Sequence, residues 1–270
     1  MSRIAATFAR ARAEGRIAFL PFMTAGFPSL DESYDVVRAM VAGGADGIEL
    51  GIPFSDPLAD GPSIQQASYR ALQAGTHPRD AIGVVRRLRE AGIEVPLVLM
   101  TYDNIVMAYG EEAFVRDAAA AGADGLLVVD LPPEESDSLR GRCREAGLDT
   151  IFMAALTSDD ARLDAIVSRT TGFLYVVGQV GVTGARATLS EELPAFLARL
   201  RAKTELPLVV GFGISKREHV KALEGLADGA IVGAAMVDLV ASTPQADRLE
   251  KVQSYVEVLT GREEASTTSR

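Results

Sequence analysis

One short pattern recurs along the chain and dictates most of what it can fold into. Three segments share it: AGGADGIELG (42–51), AAGADGLLVVD (120–130) and GLADGAIVGA (225–234). Each is typical of a helix end, a glycine C-cap and then a short apolar strand. Two more segments, REAGIEVPLVLM and REAGLDTIFMA, follow the same order. The chain is therefore built from one repeated unit of strand and helix.

The number and spacing of these units predict the architecture. Together with IAFLPFMTA, GFLYVVG and LPLVVGFG they give eight strand candidates, separated by helical patterns. Near-continuously apolar strands that alternate with helices form a parallel sheet covered by helices. Eight units in about 250 residues match a (β/α)8 TIM barrel, and an open doubly wound sheet is the alternative. We predict α/β class and a single barrel domain over residues 1–260, with an extra N-terminal helix and an inserted segment after strand two. A disordered polar tail is expected over 261–270.

Charge and composition restrict the partners. The net charge of −10 argues against nucleic acid or an anionic membrane as a partner. No apolar run approaches the length of a membrane span. A single cysteine, Cys143, excludes an internal disulfide and fits a reducing compartment, so we predict a cytoplasmic protein. The two histidines, His77 and His219, are predicted to lie away from the motif loops, so neither histidine catalysis nor a metal site is expected.

The segment ELGIPFSDPLADGP (49–62) carries the strongest functional signal. Glu49 lies within an apolar strand (46–52), where the alternation of side chains puts it on the same face as Gly47 and Gly51. We predict that these glycines leave room for a ligand. Burial raises the pKa of an unpaired carboxylate, which prepares a general acid for neutral pH. A purely structural ion pair is the alternative, but neither the strand nor the following loop offers a cation.

Glycine-rich turns after the last three strands are the second signal. They are GVTG (181–184), GFGIS (211–215) and GAA (233–235). The late loops of barrels commonly bind phosphate, and glycine lets backbone N–H groups approach it. Ordinary strand-to-helix turns are the alternative. The predicted phosphate-binding residues are Gly184, Gly213, Gly233 and Ala234.

Aromatic and apolar side chains at the strand ends suggest an apolar part of the ligand. Tyr102 and Tyr175 can pack on an aromatic ligand or donate a hydrogen bond, although core filling explains them equally well. Asp60 fits either a functional role or a helix cap. The residues alone therefore indicate a barrel enzyme for a small phosphorylated substrate. Its predicted apolar walls include Phe22, Met100, Leu127, Met153 and Phe212.

At these residues the chain resembles the tryptophan synthase alpha subunit family. The resemblance runs over roughly residues 1–260; it is most specific in ELGIPFSDPLADGP and is supported by TAGFP, DLPPEES, GVTGAR and GFGIS. It implies retro-aldol cleavage of indole-3-glycerol phosphate to indole and glyceraldehyde 3-phosphate, with no metal or organic cofactor. It also implies a beta subunit partner, in an alpha-beta-beta-alpha assembly, that receives the indole.

The resemblance also implies a role for each site residue. Glu49 would protonate the indole at C3 and help remove the proton of the glycerol hydroxyl, while Asp60 would hold the indole N–H. Tyr175 matches a tyrosine close to Glu49. Thr183 falls in a mobile loop that closes over the substrate and contacts Asp60. The implied indole walls are Phe22, Met100, Tyr102, Leu127, Val129, Met153 and Phe212.

The chain departs from the family pattern at three places. Ala234 replaces a serine at the phosphate site, Gly178-Gln179-Val180 replaces a Ser-Arg-Thr type of sequence, and Ala155-Leu156-Thr157 lacks a proline. These changes bear on substrate affinity, loop closure and coupling to a beta subunit. They leave open a stand-alone lyase that releases free indole, or a non-catalytic partner of a beta subunit. The intact Glu49 and Asp60 argue against the second of these.

Overall fold

Parallel strands form a ring in the computed structural model, which describes residues 1–178, 190–211 and 213–262. In chain order the nine strands are β1 (Ala18–Thr24), β2 (Ile48–Gly51), β3 (Leu97–Thr101), β4 (Gly125–Val128), β5 (Asp149–Ile151), β6 (Met153–Ala155), β7 (Leu174–Val177), β8 (Leu208–Gly211) and β9 (Gly229–Val232). Their order in the sheet is β5-β4-β3-β2-β1-β9-β8-β7-β6. The two ends of this sheet, β5 and β6, are separated in the chain by Phe152 alone.

The predicted (β/α)8 barrel is confirmed, with its fifth strand divided in two. Ile151 pairs with β4, whereas Met153 pairs with Tyr175 of β7. The chain thus changes its pairing partner at Phe152, and this change closes the ring. Counted as one, β5 and β6 give the eight strand positions of the barrel.

Helices surround the ring. They are α1 (Arg3–Ala13), α2 (Leu30–Ala42), α3 (Pro62–Gln73), α4 (Pro78–Glu90), α5 (Asp103–Tyr109), α6 (Glu111–Ala121), α7 (Asp137–Ala146), α8 (Asp160–Arg169), α9 (Leu193–Arg201), α10 (Arg217–Lys221), α11 (Ala234–Ser242) and α12 (Gln245–Thr260), with a 3-10 turn at Pro133–Glu135. The predicted N-terminal helix is α1, and the predicted insertion after strand two contains α3. Helix α5 was not predicted, because seven residues are too few to show a helical period. None of the described helices is long and apolar enough to cross a membrane.

Strand register fixes which side chains face the barrel interior. Paired residues of neighbouring strands share a face. Phe22 pairs with Glu49, and Glu49 pairs with Val98, so these three side chains belong to one set that faces the interior, called here the inner set. The negative charge of Glu49 on β2 raises the pKa of Tyr175 on β7, a strand that is not its neighbour. These two side chains therefore lie close enough across the interior to interact electrostatically. Other members of the inner set are Leu20, Thr24, Gly51, Met100, Leu127, Ile151, Met153, Val209 and Gly211.

The recurring Ala-Asp-Gly of the three repeats has a role that the sequence analysis missed. Each aspartate stands just before a strand and donates its own N–H to the carbonyl of a residue on the preceding strand of the chain. Its carboxylate accepts the N–H of that same residue, so the side chain extends the hydrogen bonding between the two strands at the N-terminal end of the barrel. The donors to the carboxylates are Phe19 to Asp46 at 3.0 Å, Leu97 to Asp124 at 2.8 Å, and Leu208 to Asp228 at 2.8 Å.

Helix α1 is tied to all three of these aspartates. The ion pairs are Arg3 with Asp124 at 3.1 Å, Arg10 with Asp46 at 3.5 Å, and Arg12 with Asp228 at 3.0 Å. The apolar face of α1 buries Ile4 and Phe8 against the core. This helix therefore closes the N-terminal end of the barrel, opposite the end where barrel enzymes work.

We expect Asp124→Ala to lower the free energy of unfolding by about 3–5 kcal/mol, because it removes the carboxylate that pairs with Arg89, whose side chain is only 12% exposed. Asp124 is 7% exposed and also accepts from Arg89. Urea denaturation measures the loss. Asp164→Ala is the control, since Asp164 pairs with Lys203 while its own side chain is 65% exposed; it should cost less than about 1 kcal/mol. Equal losses in the two variants would contradict the assigned role.

Candidate active site

Glu49 is a buried acid that forms no ion pair with any residue in the described part of the chain. It lies in β2 with 3% of its surface exposed, and its Oε1 atom has no hydrogen-bond partner among the described residues. Burial, and to a lesser extent the negative charge of Asp60, raises the pKa of Glu49 to about 8. The side chain is therefore mainly protonated at neutral pH, as a general acid must be.

The glycines beside Glu49 do not leave room for a ligand, so that prediction was wrong. A Cβ atom on Gly51 would lie 2.6 Å from the ring of Phe22, and one on Gly47 would lie 3.2 Å from the side chain of Leu20. Both spaces are filled by inward-facing residues of β1. The glycines instead let Phe22 lie against β2, where its ring forms a wall beside Glu49.

Asp60 lies on the loop that joins β2 to α3. Its N–H donates to the carbonyl of Pro57 at 3.0 Å, and its own carbonyl accepts from Gln65 Nε2 at 2.9 Å. The cap position of α3 is Gly61, which makes no side-chain cap hydrogen bond, so the Asp60 carboxylate does not cap this helix. Only 6% of Asp60 is exposed, and burial raises its pKa to about 6, an effect that the Tyr102 hydroxyl partly offsets.

Tyr175 joins these two acids at the barrel centre. It is 5% exposed, and its pKa lies well above the usual value, first because of burial and then because of the charges of Glu49 and Asp60. A Cβ atom on Gly211 of the next strand would lie 2.1 Å from the Tyr175 hydroxyl oxygen. The absence of a side chain at Gly211 is therefore what lets the tyrosine ring reach the centre.

We expect Gly211→Ala to lower kcat/KM by roughly 10²-fold, because displacing a positioned group by about 1 Å has effects of that size. The new methyl group would overlap the Tyr175 ring. Steady-state kinetics measure the loss. Gly83→Ala in α4 is the control, since apart from its chain neighbours and the backbone of its own helix no described atom lies within 4 Å of the new Cβ. Full activity in Gly211→Ala would show that the position of Tyr175 does not matter.

Tyr102 connects the loop of Asp60 to the barrel wall. It follows β3 and is 4% exposed. Its hydroxyl oxygen accepts the N–H of Ala59 at 3.2 Å. The rings of Tyr102 and Phe54 lie 4.9 Å apart between centroids. Phe54 was not predicted, because its contact with Tyr102 depends on the folded path of the loop.

The predicted apolar walls converge on the same interior. Tyr102 lies two residues after Met100, and Val129 lies two residues after Leu127, so each keeps the inward parity of that residue. Ile64 of α3 was missed; its Cδ1 atom lies 3.4 Å from the position of a Cβ on Gly233. The walls that face inward by register are Phe22, Met100, Leu127 and Met153. Phe212, Thr183, Gly184 and the departure at Gln179 lie outside the described residues.

Two of the predicted phosphate turns are described. Gly213 has a φ of +77°, a conformation that favours glycine. Gly233 precedes α11 without a side-chain cap, and Ala234 is the first helical residue, so backbone N–H groups at this helix N-terminus are available to an anion.

His219 contacts a motif loop, contrary to prediction. Its Nδ1 atom accepts the N–H of Ser215 at 3.2 Å, in the turn that follows β8. The described residues contain no group of three or more potential metal ligands among histidine, cysteine, aspartate and glutamate.

Comparison with known proteins assigns the family. The family model described as "Tryptophan synthase alpha chain" matches residues 8–267. The chain belongs to this family. A tryptophan synthase alpha chain of Roseiflexus sp. (strain RS-1) is 48% identical over 261 residues, which cover 97% of this chain and all of the relative. That of Chloroflexus aurantiacus is 48% identical over 259 residues, 96% of this chain and 97% of the relative.

Solved structures agree with this assignment. A chain of Mycobacterium tuberculosis tryptophan synthase superposes with a TM-score of 0.89 at 36% identity, over 96% of this chain and 97% of that one. The alpha subunit from Legionella pneumophila gives 0.87 at 36% identity, over 97% and 98%. The predicted activity is thereby confirmed: this member of the tryptophan synthase alpha chain family is a lyase of tryptophan biosynthesis that cleaves indole-3-glycerol phosphate.

Proposed function

We propose that Glu49 and Asp60 carry the cleavage in divided roles, with Glu49 as the acid and base and Asp60 as the fixed negative charge. The observation that carries this proposal is a pair of buried carboxyls whose pKa values differ, about 8 for Glu49 and about 6 for Asp60. At neutral pH one is mainly protonated and the other mainly ionised. Such a separation assigns acid and base roles within one site.

The reaction proceeds in two proton transfers. Protonated Glu49 donates to C3 of the indole, and the resulting positive charge at the ring nitrogen is stabilised by the Asp60 carboxylate. The Glu49 carboxylate then accepts the proton of the glycerol hydroxyl next to the ring as the carbon–carbon bond breaks. The electron pair of that bond returns to the indole ring, and the hydroxyl carbon becomes the aldehyde of glyceraldehyde 3-phosphate. Glu49 ends protonated, so neither water nor an oxidant is consumed.

The remaining predicted residues orient the substrate. The Tyr175 phenol keeps its proton, because its pKa is raised, and stays a donor near Glu49. The inward-facing apolar walls hold the indole. Gly213 and the N-terminus of α11 at Gly233 and Ala234 bind the phosphate through backbone N–H groups, together with Gly184. A hydroxyl lost at Ala234 costs about 1.5–3 kcal/mol of binding to a charged group.

A beta subunit is the proposed partner and receives the indole, in a cytoplasmic complex. The Mycobacterium tuberculosis relative was solved as tryptophan synthase. Leu58, in the loop of Asp60, is 89% exposed, and Met107 of α5 is 62% exposed. Apolar side chains this exposed near one end of the barrel fit a surface that another chain covers. The single cysteine, Cys143, is free and buried, as suits a reducing compartment.

We expect a bell-shaped pH dependence of kcat/KM. Activity should fall below about pH 6, where Asp60 becomes protonated, and above about pH 8, where Glu49 loses its proton. Initial rates at subsaturating substrate measure both limbs. A flat profile between pH 5 and 9 would contradict the division of roles.

The decisive test is release of glyceraldehyde 3-phosphate from indole-3-glycerol phosphate, by this chain alone and with a beta subunit added. Slow release that rises steeply with the beta subunit is the expected result. Fast release that the partner does not change would instead indicate a stand-alone lyase. Absence of release in both mixtures would overturn the proposed function.

A further inference from the structure

The hydroxyl of Tyr102 lies where the loop of Asp60 meets the barrel. The backbone N–H of Ala59, one residue before Asp60, donates to this hydroxyl oxygen at 3.2 Å. Tyr102 and Asp60 are both buried, at 4% and 6% exposure. The ring is held in place by the neighbouring ring of Phe54. The oxygen is therefore a fixed point to which the loop is attached.

Among the described residues, the Asp60 carboxyl is the acceptor offered to the proton of this hydroxyl. A phenol carries a single proton, and the Ala59 N–H already occupies a lone pair of the oxygen, so the proton remains free to be donated. The Tyr102 hydroxyl lowers the pKa of the Asp60 carboxyl against the larger effect of burial, as a donor to the ionised acid does. Burial of Tyr102, and then the charge of Asp60, raise the pKa of its phenol, so the phenol keeps its proton at neutral pH.

The charged surroundings give this hydrogen bond its importance. Among the described residues, the groups whose charges act here are acids: Glu49 faces Asp60 from β2, and Asp130 faces Tyr102 from the loop after β4. Tyr175 faces Asp60 from β7 as a neutral phenol. A buried carboxylate without a nearby cation depends on donated hydrogen bonds to remain ionised.

We infer that Tyr102, beyond forming a wall of the site, is a positioning residue whose hydroxyl anchors the Ala59–Asp60 loop and donates a hydrogen bond to the Asp60 carboxylate. This inference rests on the proposed function of Asp60. Tyr102 acts through Asp60, which must stay ionised to stabilise positive charge on the indole. Removal of the hydroxyl makes Asp60 harder to ionise and frees the loop.

The test is the titration of the Asp60 carboxyl in Tyr102→Phe, followed by carboxyl carbon NMR in the protein without substrate. We expect the midpoint to rise by about one pH unit, as the loss of a hydrogen bond to a charged group predicts. Tyr109→Phe is the matched control: the Tyr109 hydroxyl donates to a carboxylate, that of Asp117, at 2.8 Å outside the site. Its Asp60 midpoint should equal that of the parent protein.

A second variant keeps the test independent of any damage to folding. Site-specific 3-fluorotyrosine at position 102 retains the ring and hydroxyl but makes a stronger donor, so the Asp60 midpoint should fall. Midpoints that are unchanged in both Tyr102 variants would overturn the inference.

The acid limb of kcat/KM provides the kinetic readout. In Tyr102→Phe this limb should move to higher pH together with the NMR midpoint, so that the activity of the variant relative to the parent protein is lower at pH 7 than at pH 8. A shifted NMR midpoint in a protein that never cleaves the substrate would overturn the proposed function and leave the role of Tyr102 intact. An unshifted midpoint in an enzyme that cleaves the substrate would overturn the role of Tyr102 and leave the proposed function intact.

Discussion

Glu49→Gln should abolish cleavage of indole-3-glycerol phosphate, with kcat reduced by about 10⁴-fold or more. A single positioned acid or base contributes about 10²–10⁴-fold, and Glu49 serves in both proton transfers of the proposed reaction. The glutamine amide has nearly the same shape but cannot donate a proton to carbon at neutral pH. Single-turnover release of glyceraldehyde 3-phosphate measures the loss. Turnover at even a tenth of the parent rate would remove Glu49 from the mechanism.

The same substitution should leave the fold intact and change how stability depends on pH. The pKa of Glu49 is about 8 in the folded chain against 4.5 in a model peptide, so folding favours its protonated form. The stability that this proton contributes is fully present below about pH 4.5 and is lost as pH rises through about 8. Glutamine has no proton to lose. Above pH 8 the variant should therefore resist urea better than the parent protein.

A matched variant separates this effect from general charge removal. Glu250→Gln removes a carboxylate from the exposed surface of α12, and it should change neither the activity nor the pH dependence of stability. Equal pH dependence of unfolding in the parent and in Glu49→Gln would show that Glu49 is not held protonated by the fold.

The barrel could be predicted because its evidence is local. Each repeat contains its own helix end, glycine cap and apolar strand, so the pattern is complete within about ten residues. Strand parity likewise placed Glu49 on one face with Gly47 and Gly51. The same parity could not show what fills the space beside a glycine, since Phe22 and Leu20 reach Gly51 and Gly47 from a different strand.

Contacts between distant segments explain what the sequence did not reveal. The three repeat aspartates form ion pairs with arginines of α1 at the N-terminal end of the barrel, and this role is visible only in the folded structure. The link between Ala59 and Tyr102 spans 43 residues and depends on the path of the loop after β2. Asp60 remained ambiguous for that reason: its capping alternative could be decided only when Gly61 was found at the cap of α3.

The effect of Asp60→Asn should be large but smaller than that of Glu49→Gln, a loss of about 10²–10³-fold in kcat. Removal of one fixed group that stabilises charge in a transition state typically costs this much. The asparagine side chain can still accept the indole N–H hydrogen bond, but it no longer opposes the positive charge that follows protonation at C3. In the variant, kcat/KM should also no longer show the fall near pH 6 that protonation of Asp60 causes in the parent protein.

The phosphate site offers an independent check that Asp60→Asn acts on charge and not on folding. Gly213 and Gly233 follow β8 and β9 and Ala234 begins α11, whereas Asp60 follows β2. Glycerol 3-phosphate should therefore bind the variant and the parent equally by calorimetry. Asp56→Asn is the control, because Asp56 is an exposed carboxylate of the same loop; assayed without a beta subunit, it should retain the parent rate. Loss of kcat with intact phosphate binding would exclude damage to the fold and to the phosphate site, and it would support the assignment of the Asp60 charge to the ring nitrogen. A full-rate Asp60→Asn enzyme would contradict that assignment.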